Sequence, residues 1–360
     1  MNELSKKLKV IFCLASLGSG GAERVVSLLA NKFDSLGHQV QILCLKYDDV
    51  YYKVNDRVEV VLVTKEATSY CSRLFWLRRY VKIEKPDVVI AFTEGVYCFT
   101  LFSLLGTKFP VIASERLDPN AMSWNRKLLK KLLLPYAKWL VVQTQEIKKY
   151  FSPQIQRKTS IIFNPVNEEV LNYRVKIENK REQIISVARL YPQKNQKMLI
   201  DAFGRIAHKY PSWQLVIYGE GPLRQDLEQL IIKKQLGGRV FLPGRTDKVI
   251  PELAHSKIFA LSSNYEGMSN SMIEAICMGL PVVSTRVSGT EELIQNGING
   301  FLVERNDADG MAQAFEKLIS NEKLRIHIGK TNIENTKFFL IDTVVNKWLE
   351  LIWKIKGNES

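Results

Sequence analysis

Short, mainly apolar segments alternate with longer amphipathic segments along the whole chain. The alternation begins with LKVIFCLAS, AERVVSLLANKFDSLG and HQVQILCL, and it resumes in the second half with QIISVARL, QKMLIDAFGRIAHKYP and WQLVIYGEGP. Continuous apolar runs are typical of strands that are buried on both faces, and the segments between them have helical periodicity. The pattern therefore predicts an α/β fold with two doubly wound parallel sheets.

The alternation is interrupted near IIFNPVNEE, where the composition turns polar and charged as far as Arg181. A chain of 360 residues also fits two domains better than one. We predict a first domain at 1–165, a second domain at 166–340 and a last helix at 341–360 that packs back on the first domain. Ligands of such sheets bind beyond the carboxyl ends of the strands, so two facing domains would surround one cleft.

The net charge of +14 favours partners that carry phosphate, which include nucleic acid, anionic lipid and diphosphate ligands. The segment from Glu115 to Lys158 holds ten basic residues against three acidic ones, so the excess lies in the first half. We find no helix-turn-helix signature, zinc-finger spacing or aromatic stacking motif, and therefore expect no nucleic-acid partner. The five cysteines have no metal-binding spacing, and we expect reduced core residues of a cytoplasmic protein.

One stretch in this basic region, WNRKLLKKLLLPYAKWLVV (Trp124 to Val142), interleaves lysines with apolar residues and two tryptophans. The pattern is that of a helix that could lie in a membrane interface, and equally that of an ordinary domain helix with a solvated lysine face. The longest apolar run, Val96 to Gly106, is about half of the roughly 20 residues that a membrane span needs. We expect no spanning segment and a peripheral position on the inner face of the cell membrane, with an anionic surface as a partner.

Two glycine-rich loops follow predicted strands. LGSGGAERV places Gly20 and Gly21 at a helix start, where missing side chains would let a ligand approach backbone N–H groups. It departs from the dinucleotide fingerprint because Glu23 occupies the third glycine position, and no phosphate-loop lysine follows. YGEGP places Gly219 and Gly221 in a second such turn. A tight turn without a ligand is the alternative interpretation of the first loop.

A pair of cations is predicted at the end of another strand, in SVARLYPQKN. Arg189 ends the strand and Lys194 follows five residues later. Both side chains would project from the carboxyl edge of a sheet, where a guanidinium and an ammonium can neutralise two phosphates. Solvated charges at a strand end are the alternative.

The segment NYEGMSNSMIEA holds two glutamates, Glu266 and Glu274, eight positions apart. On one continuous helix they would be about 12 Å apart along the axis and unable to act together. We instead predict that Glu266 lies in a loop and that a helix starts at Ser269, Asn270 and Ser271. The helix start would attract an anion, and the carboxylates would accept hydrogen bonds from sugars on either side of it. A nucleotide-sugar has this pattern.

Together, GSGGAER, VARLYPQKN, YGEGP, EGMSNSMIEA, GLPVVST and NGINGFLV resemble the retaining glycosyltransferases of family 4, which have two facing Rossmann-like domains (GT-B architecture). The resemblance implies that the first domain, 1–165, binds the acceptor and that the second, 166–340, binds the nucleotide-sugar donor. Within the second domain it implies that Arg189 and Lys194 hold the donor diphosphate, Glu274 binds the ribose and Glu266 contacts the transferred sugar. It also implies donor contacts at a set of loop positions: Gly20, Gly21, Gly219, Gly221, Gly267, Met268, Ser269, Asn270, and Gly244 and Arg245 beside the base.

The activity implied is transfer of a hexose or N-acetylhexosamine from a nucleoside-diphosphate sugar, with retention of the anomeric configuration. The expected donor is a UDP-sugar. The expected acceptor is a lipid-linked glycan in cell-surface polysaccharide or lipopolysaccharide synthesis. A non-catalytic scaffold and a differently specific protein of the same fold, such as a sugar-nucleotide epimerase, are the alternatives. The complete set of Arg189, Lys194, Glu266 and Glu274 argues against a scaffold.

One segment departs from the family. Many relatives carry a histidine after a strand of the first domain, and here VIASERLDPN stands in that place. Glu115, Arg116 and Asp118 are therefore candidate acceptor or sugar contacts, with a structural role as the alternative, and the loop looks most like transferases of N-acetylgalactosamine to lipid-linked oligosaccharides. The Asp-x-Asp pattern in NDADGM is interpreted as a helix start, so no metal and no other cofactor are expected.

Overall fold

A computed structural model describes residues 6–117, 123–175 and 179–357 of the chain. It divides into two compact units, of which the first contains Met1–Pro165 with Phe339–Ser360 and the second contains Val166–Phe338.

The first unit is built on a seven-stranded sheet in which all neighbouring strands are parallel. Its order is β3-β2-β1-β4-β5-β6-β7, and its strands are β1 (Lys9–Leu14), β2 (Gln39–Cys44), β3 (Glu59–Leu62), β4 (Val88–Phe92), β5 (Val111–Ser114), β6 (Trp139–Val142) and β7 (Thr159–Ile161). The central strands β1 and β4 are almost wholly buried, as their uninterrupted apolar sequences predict.

Helices cover both faces of this sheet. They are α1 (Gly21–Ser35), α2 (Val63–Glu66), α3 (Tyr70–Glu84), α4 (Glu94–Leu104), α5 (Trp124–Leu133), α6 (Gln145–Tyr150) and α7 (Pro153–Arg157). Among the described residues, no helix has the length and apolar content that a bilayer crossing requires. Four cysteines are buried, but Cys71 is exposed at the start of α3, so the expectation that all five are core residues is wrong for this one.

The expectation of one helical pattern over Trp124–Val142 is also wrong. Helix α5 ends at Leu133, a short 3-10 turn covers Leu134–Tyr136, and the last four residues form strand β6. Pro135 lies in that turn, and proline cannot donate the backbone hydrogen bond that would continue an α-helix. The apolar residues Trp139–Val142, which follow the turn, form strand β6 of the sheet.

The second unit has a six-stranded sheet, also parallel, in the order β10-β9-β8-β11-β12-β13. Its strands are β8 (Arg181–Val187), β9 (Gln214–Tyr218), β10 (Val240–Gly244), β11 (Ser256–Leu261), β12 (Val282–Thr285) and β13 (Gly300–Val303). Its helices are α8 (Gln196–Ile206), α9 (Arg224–Lys233), α10 (Val249–Ala254), α11 (Asn270–Cys277), α12 (Ser288–Glu291), α13 (Ala308–Ser320) and α14 (Glu322–Asn335). The strand order reverses between β8 and β11, which makes their carboxyl ends the expected ligand position.

The last helix, α15 (Ile341–Gly357), belongs to the first unit although it follows the second in the chain. It packs against α1, and its Trp348 is buried with its ring 6.0 Å from that of Phe92 on β4. Buried aromatic side chains of this size contribute a large part of core stability. The first unit is therefore completed only when the end of the chain returns to it.

Candidate functional site

The loops after β8 and β11 lie side by side at the point where the strand order of the second unit reverses. The Asn264 amide donates to the Gln193 carbonyl over 2.8 Å, and Gln193 Nε2 donates to the Tyr265 carbonyl over 2.9 Å. Ser262 Oγ also donates to the Lys194 carbonyl over 2.8 Å. These bonds join two loops that are about 70 positions apart in the sequence, so their side chains share one site.

Lys194 and Glu266 form an ion pair within this site. Lys194 Nζ donates to Glu266 Oε2, and the two side chains are only 13% and 12% exposed. Ser263 Oγ donates to the same carboxylate oxygen over 3.1 Å. Nothing in the described part of the chain hydrogen-bonds Oε1 of Glu266, so that oxygen is available to a ligand hydroxyl.

Arg189 lies two positions after the end of β8, in the loop that also carries Lys194. Its guanidinium lies 5.1 Å from the ring centroid of Tyr191, and the residue is exposed. The Arg189 carbonyl accepts a 2.9 Å hydrogen bond from the buried Gln196 side chain, which holds the backbone in place. None of the described carboxylates forms an ion pair with Arg189, which leaves its charge to a ligand.

Helix α11 begins one position after Ser269, which confirms the predicted helix start. The Ser269 hydroxyl caps the helix by accepting from the Met272 amide over 3.3 Å, and Ser271 Oγ donates to the Val187 carbonyl at the end of β8 over 2.8 Å. The N-terminus of α11, which carries the partial positive charge of the helix dipole, is therefore anchored at the end of β8. Gly267 and Met268 are buried in the loop that leads to it.

Glu274 lies in the second turn of α11, as predicted, and is only 2% exposed. The two glutamates therefore have different positions. Glu266 lies in a loop and pairs with Lys194, whereas Glu274 lies within α11.

Sequence reasoning missed three residues that support the Glu266 loop from β12 and α12. Thr285 Oγ1 donates to the Ser263 carbonyl over 2.6 Å, and Ser288 Oγ donates to the Glu266 carbonyl over 3.2 Å. A Cβ atom at Gly289 would overlap the Gly267 carbonyl oxygen, so only glycine allows this approach. The polar end of the strand "PVVSTRVSGT" was the available signal for them.

Both glycines of the YGEGP turn are required by close backbone packing, which the sequence did not reveal. A Cβ at Gly219, where φ is +145°, would overlap the Ala188 carbonyl oxygen, and a Cβ at Gly221 would overlap that of Leu190. The Leu190 amide donates to the Glu220 carbonyl over 2.9 Å. Both glycines therefore bring this turn against the backbone of the Arg189 loop.

The segment around Gly244 and Arg245, predicted to lie against a nucleotide base, is at the end of β10. Strand β10 is the neighbour of β9 in the sheet. Gly244 has φ +91°, and its carbonyl accepts from the Gly219 amide over 2.8 Å. Arg245 is exposed, and the pKa of the neighbouring Glu220 carboxyl is lowered chiefly by hydrogen bonds from Arg224 and to a smaller extent by the charge of Arg245.

The glycine loop of the first unit starts helix α1. Gly20 is its N-cap residue, and the carboxylate of Glu23 lies against the Cα of Gly20, where a Cβ would overlap it. An anion approaching Gly20 and Gly21 would have to compete with this first-turn carboxylate, which already complements the helix dipole.

At the end of β5 the structure gives Glu115 an internal role in place of the candidate acceptor contact. Its side chain is fully buried, accepts from Tyr97 Oη over 2.9 Å and lies 3.4 Å from Lys130 Nζ. Burial raises the pKa of the Glu115 carboxyl, although Lys130 and Tyr97 oppose the shift. The carboxylate therefore ties β5 to α4 and α5.

Arg116 is 7% exposed and stacks on the Phe92 ring at 4.4 Å. Its Nη1 donates to Asn164 Oδ1 over 2.6 Å, and the same oxygen accepts from Gln143 Nε2 over 2.6 Å. Burial lowers the pKa of this guanidinium to about 9. The third candidate, Asp118, lies outside the described residues.

The aspartates of NDADGM are separated by their partners. Asp307 caps α13 by accepting from the Gly310 amide over 2.8 Å, and Asp309 pairs with Arg205. Across the described ranges, no cluster of three or more His, Cys, Asp or Glu side chains could hold a metal ion.

Family comparisons agree with this geometry. Residues 19–170 match the family described as Glycosyltransferase Family 4, and residues 169–335 match Glycosyl transferases group 1. An uncharacterized glycosyltransferase of Methanocaldococcus jannaschii is 30% identical over 336 residues, which cover 78% of this chain and 82% of the relative. The chain belongs to the family 4 glycosyltransferases. The resemblance inferred from the motifs is thereby confirmed.

Relatives of this glycosyltransferase with defined activities include two from Campylobacter jejuni. One is the α-1,4-N-acetyl-D-galactosaminyltransferase that acts on GalNAc-α-(1→4)-GalNAc-α-(1→3)-diNAcBac-PP-undecaprenol, 27% identical over 97% of this chain and 99% of the relative. The other is the N-acetylgalactosamine-N,N'-diacetylbacillosaminyl-diphospho-undecaprenol 4-α-N-acetylgalactosaminyltransferase, 28% identical over 86% and 90%.

Solved structures confirm the GT-B fold. HepE from Anabaena, in complex with UDP-glucose, matches with a TM-score of 0.79 and 18% identity over 96% of this chain and 100% of that one. Sucrose-phosphate synthase from Thermosynechococcus elongatus matches with a TM-score of 0.82 and 16% identity over 97% and 100%. At these identities the likeness establishes the fold of the family 4 enzyme alone.

Proposed function

We propose that this glycosyltransferase moves a hexose or N-acetylhexosamine from a UDP-sugar to a lipid-linked glycan and keeps the anomeric configuration. The observation that carries the proposal is the Lys194–Glu266 pair at the switch point of the second unit, in which Lys194 shares a loop with the exposed Arg189. The activities of the Campylobacter relatives support a lipid-linked acceptor, and the HepE complex supports UDP as the nucleotide. We assign the reaction to cell-surface polysaccharide or lipopolysaccharide synthesis.

The cations act on the leaving group. As the bond from the sugar to the diphosphate breaks, negative charge grows on the diphosphate, and the Lys194 ammonium and Arg189 guanidinium stabilise it together with the N-terminus of α11. Groups that are already in place act without reorganisation, and removing one such donor typically costs about 10²- to 10³-fold in turnover.

The carboxylates orient the two ends of the donor. Glu266 keeps Oε1 for a hydroxyl of the transferred sugar while Oε2 is bound by Lys194 and Ser263. Glu274 would accept the ribose hydroxyls from within α11. Positioning of both ends fixes the anomeric carbon against the acceptor, a contribution that does not require a covalent enzyme nucleophile.

The same cations supply the charge that a divalent metal provides in other glycosyltransferases, so we propose a metal-independent reaction. Turnover should be unchanged when EDTA is added in excess over the protein. A loss of activity that Mn²⁺ or Mg²⁺ restores would overturn this part of the proposal.

The first unit offers a surface for peripheral attachment to an anionic membrane. Trp124, Leu129, Leu132 and Tyr136, on α5 and the turn after it, are 69%, 46%, 61% and 66% exposed, and lysines lie between them. Aromatic and aliphatic side chains next to cations are the composition of interfacial segments. Sedimentation at low salt should recover more protein with phosphatidylglycerol vesicles than with phosphatidylcholine vesicles, and equal recovery would contradict attachment by this surface.

The test of the donor site is thermal stability against UDP, GDP, ADP, UDP-sugars and GDP-mannose, with Glu274→Gln as the comparison. A ligand at 100 times its Kd stabilises the folded protein by about 2.7 kcal/mol. We expect a shift with uridine nucleotides alone, reduced in the variant. A shift confined to guanosine or adenosine nucleotides would reject the UDP assignment, and no shift with any nucleotide would reject the donor site.

Retention is tested on the product. A single turnover with an α-linked UDP-sugar, followed by proton NMR of the product, should show an α linkage. A β linkage would contradict the proposed stereochemistry without affecting the donor assignment.

A further inference from the structure

The turn that carries Lys194 ends at Asn195, and this asparagine has a backbone conformation that few residues adopt. Its φ is +47° and its ψ is +46°, in the left-handed region, which glycine and asparagine tolerate best. It closes the short 3-10 turn Pro192–Lys194 and directly precedes α8. The backbone of Asn195 therefore sets the direction in which the chain leaves Lys194 and enters the helix.

The side chain of Asn195 does not have the role that its position would suggest. Asparagine at the N-cap of a helix usually accepts a hydrogen bond from a backbone amide of the first turn. Asn195 is the N-cap residue of α8, yet its side chain forms no such bond. Nδ2 instead donates to Asn264 Oδ1 over 3.2 Å and to Asn306 Oδ1 over 3.0 Å. The carboxamide therefore joins segments that are distant in the sequence, in place of a local cap.

The direction of these hydrogen bonds is set by Asn264. Its Nδ2 donates to the Pro192 carbonyl over 3.2 Å, which leaves its Oδ1 to face Asn195. A carboxamide nitrogen carries two N–H groups, so Asn195 can supply one to Asn264 and one to Asn306. An oxygen in the place of Nδ2 would face two acceptor oxygens and repel both.

Asn306 brings a third loop into this cluster. It lies between β13 and α13, directly before the residue that caps α13, and its φ of +62° is also left-handed. The neighbouring Arg305 donates to the Asn264 carbonyl over 3.4 Å. The NDADGM segment is thus joined to the two loops of the donor site. We call Asn195, Asn264 and Asn306 the asparagine cluster.

The asparagine cluster lies next to the ion pair of the donor site. Asn195 directly follows Lys194, and Asn264 is two positions before Glu266. In the proposed reaction Lys194 must meet the diphosphate while Glu266 meets the sugar. A misplacement of about 1 Å can cost about 10²-fold in rate. Hydrogen bonds between the two loops, so close to both members of the pair, limit such a displacement.

We propose that Asn195 is a positioning residue of the transfer reaction, whose carboxamide holds the loop of Lys194 against the loop of Glu266 and joins both to the loop before α13. The inference rests on the proposed function, because it assigns how the cation that stabilises the leaving group is held in place. The effect of Asn195 on turnover passes through Lys194.

The first test is a double-mutant cycle in transfer from a UDP-sugar. Asn195→Gly removes the carboxamide and keeps a left-handed backbone accessible, and it should lower kcat by roughly tenfold or more. In the Lys194→Ala enzyme the same substitution should change kcat by less than about twofold, because the cation through which Asn195 acts is absent. Equal factors in the two backgrounds, or a wild-type kcat for Asn195→Gly, would overturn the proposal.

The matched control for this cycle is Gln235→Gly. Gln235 is exposed after the end of α9, and its φ of +55° is left-handed like that of Asn195. The substitution makes the same change of backbone freedom away from the asparagine cluster, so kcat should stay within about twofold of the wild type. A loss equal to that of Asn195→Gly would show a general effect of glycine and would contradict the assignment.

A second pair of variants tests the direction of hydrogen bonding. Asn195→Asp keeps the size of the side chain but places a carboxylate oxygen against Asn264 Oδ1 and Asn306 Oδ1, so kcat should fall further than in Asn195→Gly. Asn172→Asp adds the same charge at an exposed position of the second unit and should leave kcat within about twofold. An Asn195→Asp enzyme more active than Asn195→Gly would contradict the donor role of Nδ2.

Amide hydrogen exchange tests the link between the loops without a substrate. The Asn264 amide, which donates to the Gln193 carbonyl, should exchange roughly tenfold or more faster in Asn195→Gly than in the wild type or in Gln235→Gly. Unchanged exchange would overturn the proposal. Absence of transfer from every UDP-sugar by the wild-type chain would reject the proposed function, and the exchange result would still decide whether Asn195 holds the loops together.

Discussion

At the residue scale, the candidate donor site contains an ion pair whose two members come from distant parts of the chain. Lys194 and Glu266 are 72 positions apart, and their pairing keeps a cation and a carboxylate side by side in a nearly buried position. A buried ion pair contributes little to the stability of the fold, because both charges are desolvated. Removing one member destabilises the protein strongly, because the other charge is left buried without a partner. The position of the pair at the carboxyl edge of the sheet supports the donor-binding role proposed for Lys194 and Glu266.

We predict that Lys194→Ala lowers kcat/KM by about 10²- to 10³-fold, since it removes one donor to the leaving diphosphate. Lys197→Ala, at an exposed lysine near the start of α8, is the control and should leave kcat/KM within about twofold. Initial rates with a UDP-sugar and an acceptor would measure both. A Lys194→Ala enzyme with wild-type kcat/KM and an unchanged melting temperature would remove Lys194 from the mechanism.

A second residue-scale prediction concerns Glu115 and Lys130. Removing one member of a buried ion pair typically costs about 3–5 kcal/mol, because the other charge is left uncompensated. We expect Glu115→Gln to lower the free energy of unfolding by an amount in this range, and the double variant Glu115→Gln/Lys130→Met to recover part of the loss. Urea unfolding of both variants is the measurement. Additive losses in the double variant would show that the two side chains are not coupled.

At the element scale, short loops are fixed by close approaches between backbones. The loop that carries Glu266 rests on α12 at Gly289, and the YGEGP turn rests on the Arg189 loop at Gly219 and Gly221. These contacts allow the loops after β8, β9 and β11 to form one edge. The glycines act by removing side chains from the space between loops, and this role does not depend on a bound nucleotide.

We predict that Gly289→Ala lowers kcat/KM by roughly 10²-fold, because the new Cβ overlaps the Gly267 carbonyl oxygen and must displace the Glu266 loop by about 1 Å. Gly237→Ala is the control, since a Cβ there meets no atom within 4 Å. Steady-state kinetics and the UDP-dependent thermal shift would be compared. Normal kinetics for Gly289→Ala would mean that the loop tolerates the displacement.

At the scale of the whole molecule, the first unit is built from two separate segments of the chain. Residues up to Pro165 form its sheet, and α15, which follows the second unit in the sequence, completes its core. The side of Trp348 that faces Phe92 lies among the β1, β4 and α1 residues of one hydrophobic cluster. The end of the chain is therefore required for the stability of its beginning.

We predict that Trp348→Ala destabilises the first unit by about 3–5 kcal/mol, since it removes a fully buried aromatic side chain. Amide hydrogen exchange should show faster exchange in β1, β4 and α1, while β8, β9 and β11 keep their protection. Uniformly faster exchange across both units would mean that they unfold together and would contradict the prediction.

The sequence by itself determined the alternation of strands and helices, the chemistry of the loops and the family. These properties are local, because apolar periodicity, glycine turns and the EGMSNSMIEA segment are written in neighbouring residues. The capping of α11 by Ser269 and the capping role of Asp307 followed from the same local rules.

Only the tertiary structure decided which residues meet. Strand order brings β8 next to β11, and this adjacency, which no local pattern encodes, pairs Lys194 with Glu266. The tertiary structure also buries Glu115 against Lys130, gives Gly219 and Gly221 a packing role and ends α5 at Leu133. The physical reason is that burial and pairing depend on contacts between segments far apart in the chain, whereas sequence patterns report only the preferences of each segment.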